Sequence, residues 1–182
     1  YNNLILSGTG AKTMPAGTSV TGNLSIAPTG SATASVAAGQ NLSVGSLSLG
    51  GLGRINGTWG GTGSGATNIN TTYFAATTGF LTVGTDTRIA ASVTTWPTAT
   101  GITSGQALSS SSLSGGVAST TGSFAFTTPA TIPPAGTYSA SVTFTPTDAT
   151  SYTPAIGTVN VTVSPAVTGT IYYVNNTNAS CS

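Results

Sequence analysis

The residues able to do chemistry are few. Two carboxylates, Asp86 and Asp148, stand without any histidine or glutamate in 182 residues. Proton transfer near neutral pH is usually the work of histidine, a perturbed carboxylate pair or lysine. The two aspartates fall in different expected modules, so they are not read as the acid and base of a glycosidase. Asp148, in Phe144-Thr145-Pro146-Thr147-Asp148, reads as a turn residue. Serine is abundant, but no Gly-x-Ser-x-Gly elbow occurs, and Lys12 is the one lysine that could activate a hydroxyl. Zinc needs Cys or His and calcium needs clustered carboxylates, and neither set is present. Gly61-Thr62-Gly63-Ser64-Gly65 lacks the Gly-Lys-Ser/Thr continuation of a phosphate cradle and reads as a turn. The expectation is therefore a non-enzymatic chain with no catalytic residue, no metal and no cofactor.

Composition narrows the partners. Charged residues are 3% of the chain, namely Lys12, Arg54, Asp86, Arg88 and Asp148, against about a quarter in ordinary domains. A net charge of +1 cannot hold a nucleic-acid backbone or an anionic membrane surface. No apolar run approaches the roughly 20 residues of a membrane-spanning helix, so no membrane insertion is expected. The single cysteine, Cys181, has no partner in the chain, which makes it a candidate intermolecular crosslink. A chain that starts at Tyr1 and stops just after a cysteine reads as a piece of a longer or processed polypeptide.

The elements behind these residues are strands. In residues 135–148, Tyr138, Ala140, Val142 and Phe144 alternate with Ser139, Ser141, Thr143 and Thr145, the pattern of a strand buried on one face. Phe124 and Phe126, then Val159, Val161 and Val163, alternate likewise. Pro and Gly turn signals separate these runs, which predicts a β-sandwich over residues 87–165. In residues 1–86, Asn3-Leu4-Ile5-Leu6, Asn23-Leu24-Ser25-Ile26 and Asn41-Leu42-Ser43-Val44 share Asn-Leu-x-aliphatic. Recurrence at about 20 residues suits stacked coils of a β-solenoid, with asparagines at the bends; a simple β-meander is the alternative. Residues 166–182 form a terminal β segment, the start of a further module or an assembly strand. The fold class is thus all-β.

Two resemblances follow from these residues. The Asn-Leu-x-Ile repeats, with Asn56-Gly57-Thr58-Trp59-Gly60 and the glycine-rich run to Gly65, resemble the β-solenoid repeats of filamentous-haemagglutinin-type surface adhesins. Trp96-Pro97-Thr98-Ala99-Thr100-Gly101-Ile102-Thr103, Ala135-Gly136-Thr137-Tyr138, the Phe144 to Asp148 run and Tyr152 resemble the bacterial Ig-like, MBG-type repeats of adhesin stalks, over residues of about 88 to 165. Such repeats often carry an aromatic where this chain has Ser104. The resemblance implies an extracellular or cell-surface location and a structural or adhesive role. Thr170-Ile171-Tyr172-Tyr173-Val174-Asn175-Asn176 resembles the entry strand of right-handed parallel β-helices, polysaccharide lyases among them, which would make the chain a linker region of such an enzyme.

The surface suggests partners rather than chemistry. Thr-rich strands with little charge at their edges favour self-association or contact with adjoining modules of the same long chain. The alternative is a carbohydrate-binding adhesin module in which Trp59, Tyr73 or Trp96 stacks on sugar rings. Sequons for glycosylation occur at Asn23, Asn41, Asn56, Asn70, Asn160, Asn175 and Asn178.

Overall fold

Leu4, Leu24 and Leu47 stand in one column, and Leu6, Ile26 and Leu49 in the next, because three consecutive strands run parallel and side by side. They are β1 (Leu4–Met14), β2 (Val20–Val36) and β3 (Asn41–Leu49). The architecture comes from a computed structural model that describes residues 1–167 and 169, and these are nearly all strand and turn.

Parallel neighbours usually need a crossover of a dozen or more residues. Here residues 15–19 and 37–40 suffice, because the strands themselves turn corners. The corner of β1 lies at Gly8 (φ 80°) and Gly10 (φ 74°), and Gly30 (φ 86°) faces Gly8 across the ladder. Only glycine takes this conformation freely, and a Cβ on Gly30 would also strike the Gly8 carbonyl. Asparagines tie the strands together: Asn3 Oδ1 accepts the Asn23 N–H at 2.8 Å, and Asn23 Oδ1 accepts the hydroxyls of Ser46 (3.1 Å) and Ser48 (3.2 Å).

The first two expected repeats therefore pair as their sequences suggest. The third does not. Asn41-Leu42-Ser43-Val44 faces Phe80-Leu81-Thr82-Val83 of β7 (Phe80–Val83), and it is Ser46-Leu47-Ser48-Leu49 that lies under the second repeat. The serine hydroxyls there satisfy Asn23 as another asparagine would, so the column of leucines decided the register. The hairpin strand β4 (Leu52–Gly53) folds back on β3, and β5 (Gly57–Gly60) and β6 (Asn68–Ile69) extend the sheet in the order β1-β2-β3-β7-β5-β6. The core of this half runs from Leu6 to Val83 and includes Met14, Ala34, Trp59 and Phe74.

The second half begins with the short strands β8 (Ile89–Ala90), β9 (Val93–Thr95), β10 (Thr98–Ala99) and β11 (Ile102–Thr103). A 3-10 turn at Leu108–Ser110, β12 (Leu113–Ser114), β13 (Val117–Ala118) and β14 (Gly122–Phe126) follow. The chain then forms β15 (Gly136–Pro146), β16 (Tyr152–Thr153) and β17 (Ala155–Ser164). One sheet dominates, in the order β11-β17-β15-β14, with two-stranded ribbons β10-β12 and β9-β13 beside it. β15 is interior to this sheet, as its strict alternation predicts: Ala140, Val142 and Phe144 are buried, while Thr143 lies on the partly exposed face. Trp96, Ala99 and Leu113 pack on a core of Ile102, Leu108, Val142, Val161 and their neighbours.

Among the described residues no helix is long and apolar enough to cross a membrane. The terminal strand expected at 170–174, Asn175, Asn178 and Cys181 lie outside the described residues.

Candidate functional site

Among the described residues, a buried arginine, Arg54 in the first half, is paired with Asp148 and its turn in the second half. Arg54 follows the β3-β4 hairpin, whose turn is Gly50-Gly51, and its backbone is fixed before its side chain acts. Its N–H donates to Leu47 O at 2.9 Å, and its carbonyl accepts the Thr87 N–H at 3.0 Å. The side chain is then nearly enclosed, at 7% exposure for the residue. Burying a guanidinium demands partners for its donors. Nη2 donates to Leu49 O at 3.2 Å, Nη1 donates to Ser151 Oγ and to Thr150 Oγ1, and Nη1 stands 3.5 Å from Asp148 Oδ2. The guanidinium also lies 6.0 Å from the centre of the Trp59 ring, a cation-π distance. Nε alone has no partner.

Opposite Arg54, the turn 148–151 is tied by its own aspartate. Asp148 Oδ1 accepts the Thr150 N–H (3.0 Å), the Thr150 hydroxyl (2.6 Å) and the Ser151 N–H (3.2 Å), and Oδ2 accepts the Ser151 hydroxyl. Ser151 is fully buried, and its hydroxyl bridges cation and anion. Burial pushes the Asp148 carboxyl up, but the Ser151 and Thr150 hydroxyls, the Thr150 N–H and Arg54 together hold it below the ordinary value.

The other side of the loop is held by the connecting segment. Arg88 forks onto Asp86, with Nη2 to Oδ2 at 2.7 Å and Nε to Oδ1 at 3.1 Å, and sends Nη1 to Ala149 O at 2.8 Å. That hydrogen bonding from the Arg88 side chain and N–H lowers the Asp86 carboxyl. β8 pairs parallel with β16, and Ile55 N donates to Thr150 O at 3.0 Å. Four of the five charged side chains thus converge on the four-residue turn 148–151 or on its immediate brace. Sequence reasoning treated Asp86 and Asp148 as unrelated and gave Arg54 no role. The available signal was scarcity: in a chain of 3% charge, an arginine beside Gly53 has few partners to choose from.

The arrangement braces the 148–151 turn against Arg54 on one side and Arg88 on the other. A carboxylate kept ionised by cations and hydroxyls is a weak base at neutral pH, and Ser151, the nearest hydroxyl, is closed to solvent. Among the described residues no cavity opens beside it.

The three candidate stacking residues are apart from this joint or inside it. Trp59 is 1% exposed, its Nε1 donates to Ile55 O at 3.0 Å, and its faces belong to the core, which corrects its assignment to a sugar surface. Tyr73 is half-buried against the first core, with its hydroxyl end over Gly50. Trp96 lies over Gly157 and meets Phe124 edge-on at 5.9 Å between ring centres. Of the sequons, Asn56 and Asn160 are exposed, and Asn41 is exposed with its Oδ1 taken by the Thr82 hydroxyl (2.8 Å). Asn70 accepts the Thr72 and Tyr73 N–H groups, both at 3.1 Å, and Asn23 is held by Ser46 and Ser48.

Comparison of the chain with protein-family models, with curated proteins and with solved structures returned no match.

Proposed function

We propose that this chain is a non-enzymatic structural and adhesive segment of a secreted microbial surface protein, a unit of a stalk, fibre or sheath. The observation that carries the reading is the joint at Arg54. A binding module would place its few charges where a partner can reach them, whereas a spacer needs its two halves held at one angle. Here a buried guanidinium, a hydroxyl-braced carboxylate and a second arginine fork serve the connection.

The first half is read as a short solenoid, since its strands stack parallel around one leucine column, and the second as an Ig-like unit built on β15. Uncharged Thr and Ser on the outer face of β15 and β17 keep such a unit solvated without charge repulsion between neighbours. The test is small-angle X-ray scattering of the purified chain together with electron microscopy of native material. A rod of fixed length in solution, and rods or filaments in the native material, are the expected results. Two halves that sample many relative angles would overturn the reading.

A further inference from the structure

Arg54 and Thr150 are 96 positions apart in the chain, yet Arg54 Nη1 donates to Thr150 Oγ1 at 3.4 Å. Two routes therefore lead from the first half to the turn 148–151. One is covalent and runs through residues 88–147, from β8 to the end of β15, before it reaches Asp148. The other crosses directly. Ile55 N–H donates to Thr150 O at 3.0 Å, and the Arg54 guanidinium holds the Ser151 hydroxyl and stands 3.5 Å from Asp148. Arg88, at the end of the connecting segment, donates to Ala149 O at 2.8 Å.

The direct route is anchored at both ends. On the first side, the Arg54 N–H is bonded to Leu47 O in β3, an interior strand of its sheet. On the second, the backbone passes from Ser151 through β16 and β17 to Ser164 with no folded segment interposed. β8 reinforces the crossing. Ile89 faces Tyr152 and Ala90 faces Thr153 in a parallel pair, with Ile89 N–H on Ser151 O at 3.2 Å and Ala91 N–H on Thr153 O at 3.1 Å. Drawing the start of one parallel strand away from the end of the other loads its slanted bonds together rather than one after another. β11 and β17 repeat this geometry behind it, with Ile102 facing Val163 and Ser104 N–H on Ser164 O at 2.8 Å.

We infer that these contacts form a tension latch. A pull between the first half and the chain leaving β17 passes through Arg54, Ile55, Arg88 and β8 into residues 148–153, and residues 92–147 bear none of it while the latch holds. The inference rests on the stalk reading above, since an anchored chain is one that meets such a pull, and it names the parts that carry the load. The second core is then length in reserve. Opening the latch brings the covalent route under load, and unravelling residues 92–147 pays out about 20 nm of chain.

The experiment is force spectroscopy on the whole chain, with Cys181 as one handle and either Ser43→Cys or Ser92→Cys as the other. Ser43 is exposed on β3, so its handle spans the latch; Ser92 is exposed just past β8, so its handle does not. At a fixed force, Arg54→Ala should shorten the wait for the release of about 20 nm roughly tenfold with the Ser43 handle, and by no more than about twofold with the Ser92 handle. Arg88→Gln, which leaves the buried contacts of Arg54 in place, should act in the same sense and less strongly. Equal shortening with both handles, or none with the Ser43 handle, overturns the latch and leaves the stalk reading standing, because a rod at rest needs only a fixed angle between its halves. Halves that tumble independently in scattering sink the stalk reading itself, whatever the force records show.

Discussion

Arg54 Nη1 stands 3.5 Å from Asp148 Oδ2 across the boundary between two hydrophobic cores, and the buried Ser151 hydroxyl joins them. The pair is asymmetric: the arginine side chain is 9% exposed and the aspartate side chain 44%. Most of the desolvation therefore falls on the cation, whose remaining donors must be met by Leu49 O and Thr150 Oγ1.

Arg54→Ala should cost more than the near-isosteric Asp148→Asn, because alanine also empties the space that the guanidinium and its stem fill beside Trp59. Arg54→Ala leaves the half-exposed Asp148 carboxylate, the buried Ser151 hydroxyl and the part-buried Thr150 hydroxyl facing a void, and a loss of about 2 to 3 kcal/mol is expected. Asp148→Asn keeps the shape of the loop and most of its accepted hydrogen bonds, so about 1 to 2 kcal/mol is expected. Arg54→Lys should not rescue the arginine, because one ammonium cannot reach Leu49 O and Ser151 as a fork does. Urea unfolding of the three variants checks the order. The Arg54→Ala transition should also split in two, one for each core.

Within the second half, the two faces of β15 should answer differently to truncation. Phe144 is 1% exposed and packs on Phe124 at 4.8 Å between ring centres, so Phe144→Ala should cost about 3 to 5 kcal/mol. Thr143 lies on the outer face, where its hydroxyl meets Thr127 at 2.8 Å. Thr143→Ala should cost well under about 1 kcal/mol. Equal losses in thermal or urea unfolding would mean that something packs on the threonine face.

The sequence made the strands of this protein legible wherever one face is buried and the other is not. Tyr138 to Phe144 alternates, and β15 lies where that alternation places it. The leucine column was legible for Leu4 and Leu24 but not for its third member. Asn41-Leu42 carries the repeat pattern and Ser46-Leu47 carries only its apolar half, yet stacking selects by fit to Leu24 and by donors for Asn23. The joint was the least legible part. Arg54, Arg88 and Asp148 are far apart in the chain, and nothing local marks an arginine as buried until a loop from the other half closes over it.

The close approach of the stacked strands supplies a further test at Gly22. A Cβ there would fall on the Asn2 carbonyl, while the Gly22 N–H donates to that same oxygen at 2.6 Å. Gly22→Ala must push the first strand away from the second or give up that bond, at a cost of about 1 to 3 kcal/mol. Hydrogen exchange should locate the loss, with faster exchange at Thr21, Gly22 and Asn23 and unchanged protection in β15.

Acid should loosen the joint before it unfolds either core. The Asp148 carboxyl is held below its ordinary value in the folded chain, by hydroxyls, a backbone N–H and Arg54 acting against the cost of burial. A lowered folded value means that the carboxylate contributes stability that is fully present above the unfolded value of about 3.9. That contribution disappears as pH falls through the folded value. Asp86 is lowered by Arg88 in the same sense, but it is exposed at the surface and its pair is worth little. The neutral pH range should therefore leave stability nearly flat, since the chain holds no histidine. As pH falls below the ordinary carboxylate range and through that lowered folded value, Asp148 takes up a proton and no longer compensates Arg54, and the two halves should separate in scattering while far-ultraviolet circular dichroism still reports strand. Asp148→Asn should remove most of that acid dependence and Asp86→Asn very little. A parent chain whose module geometry holds unchanged down to pH 2 would show that Arg54 keeps the joint without its carboxylate.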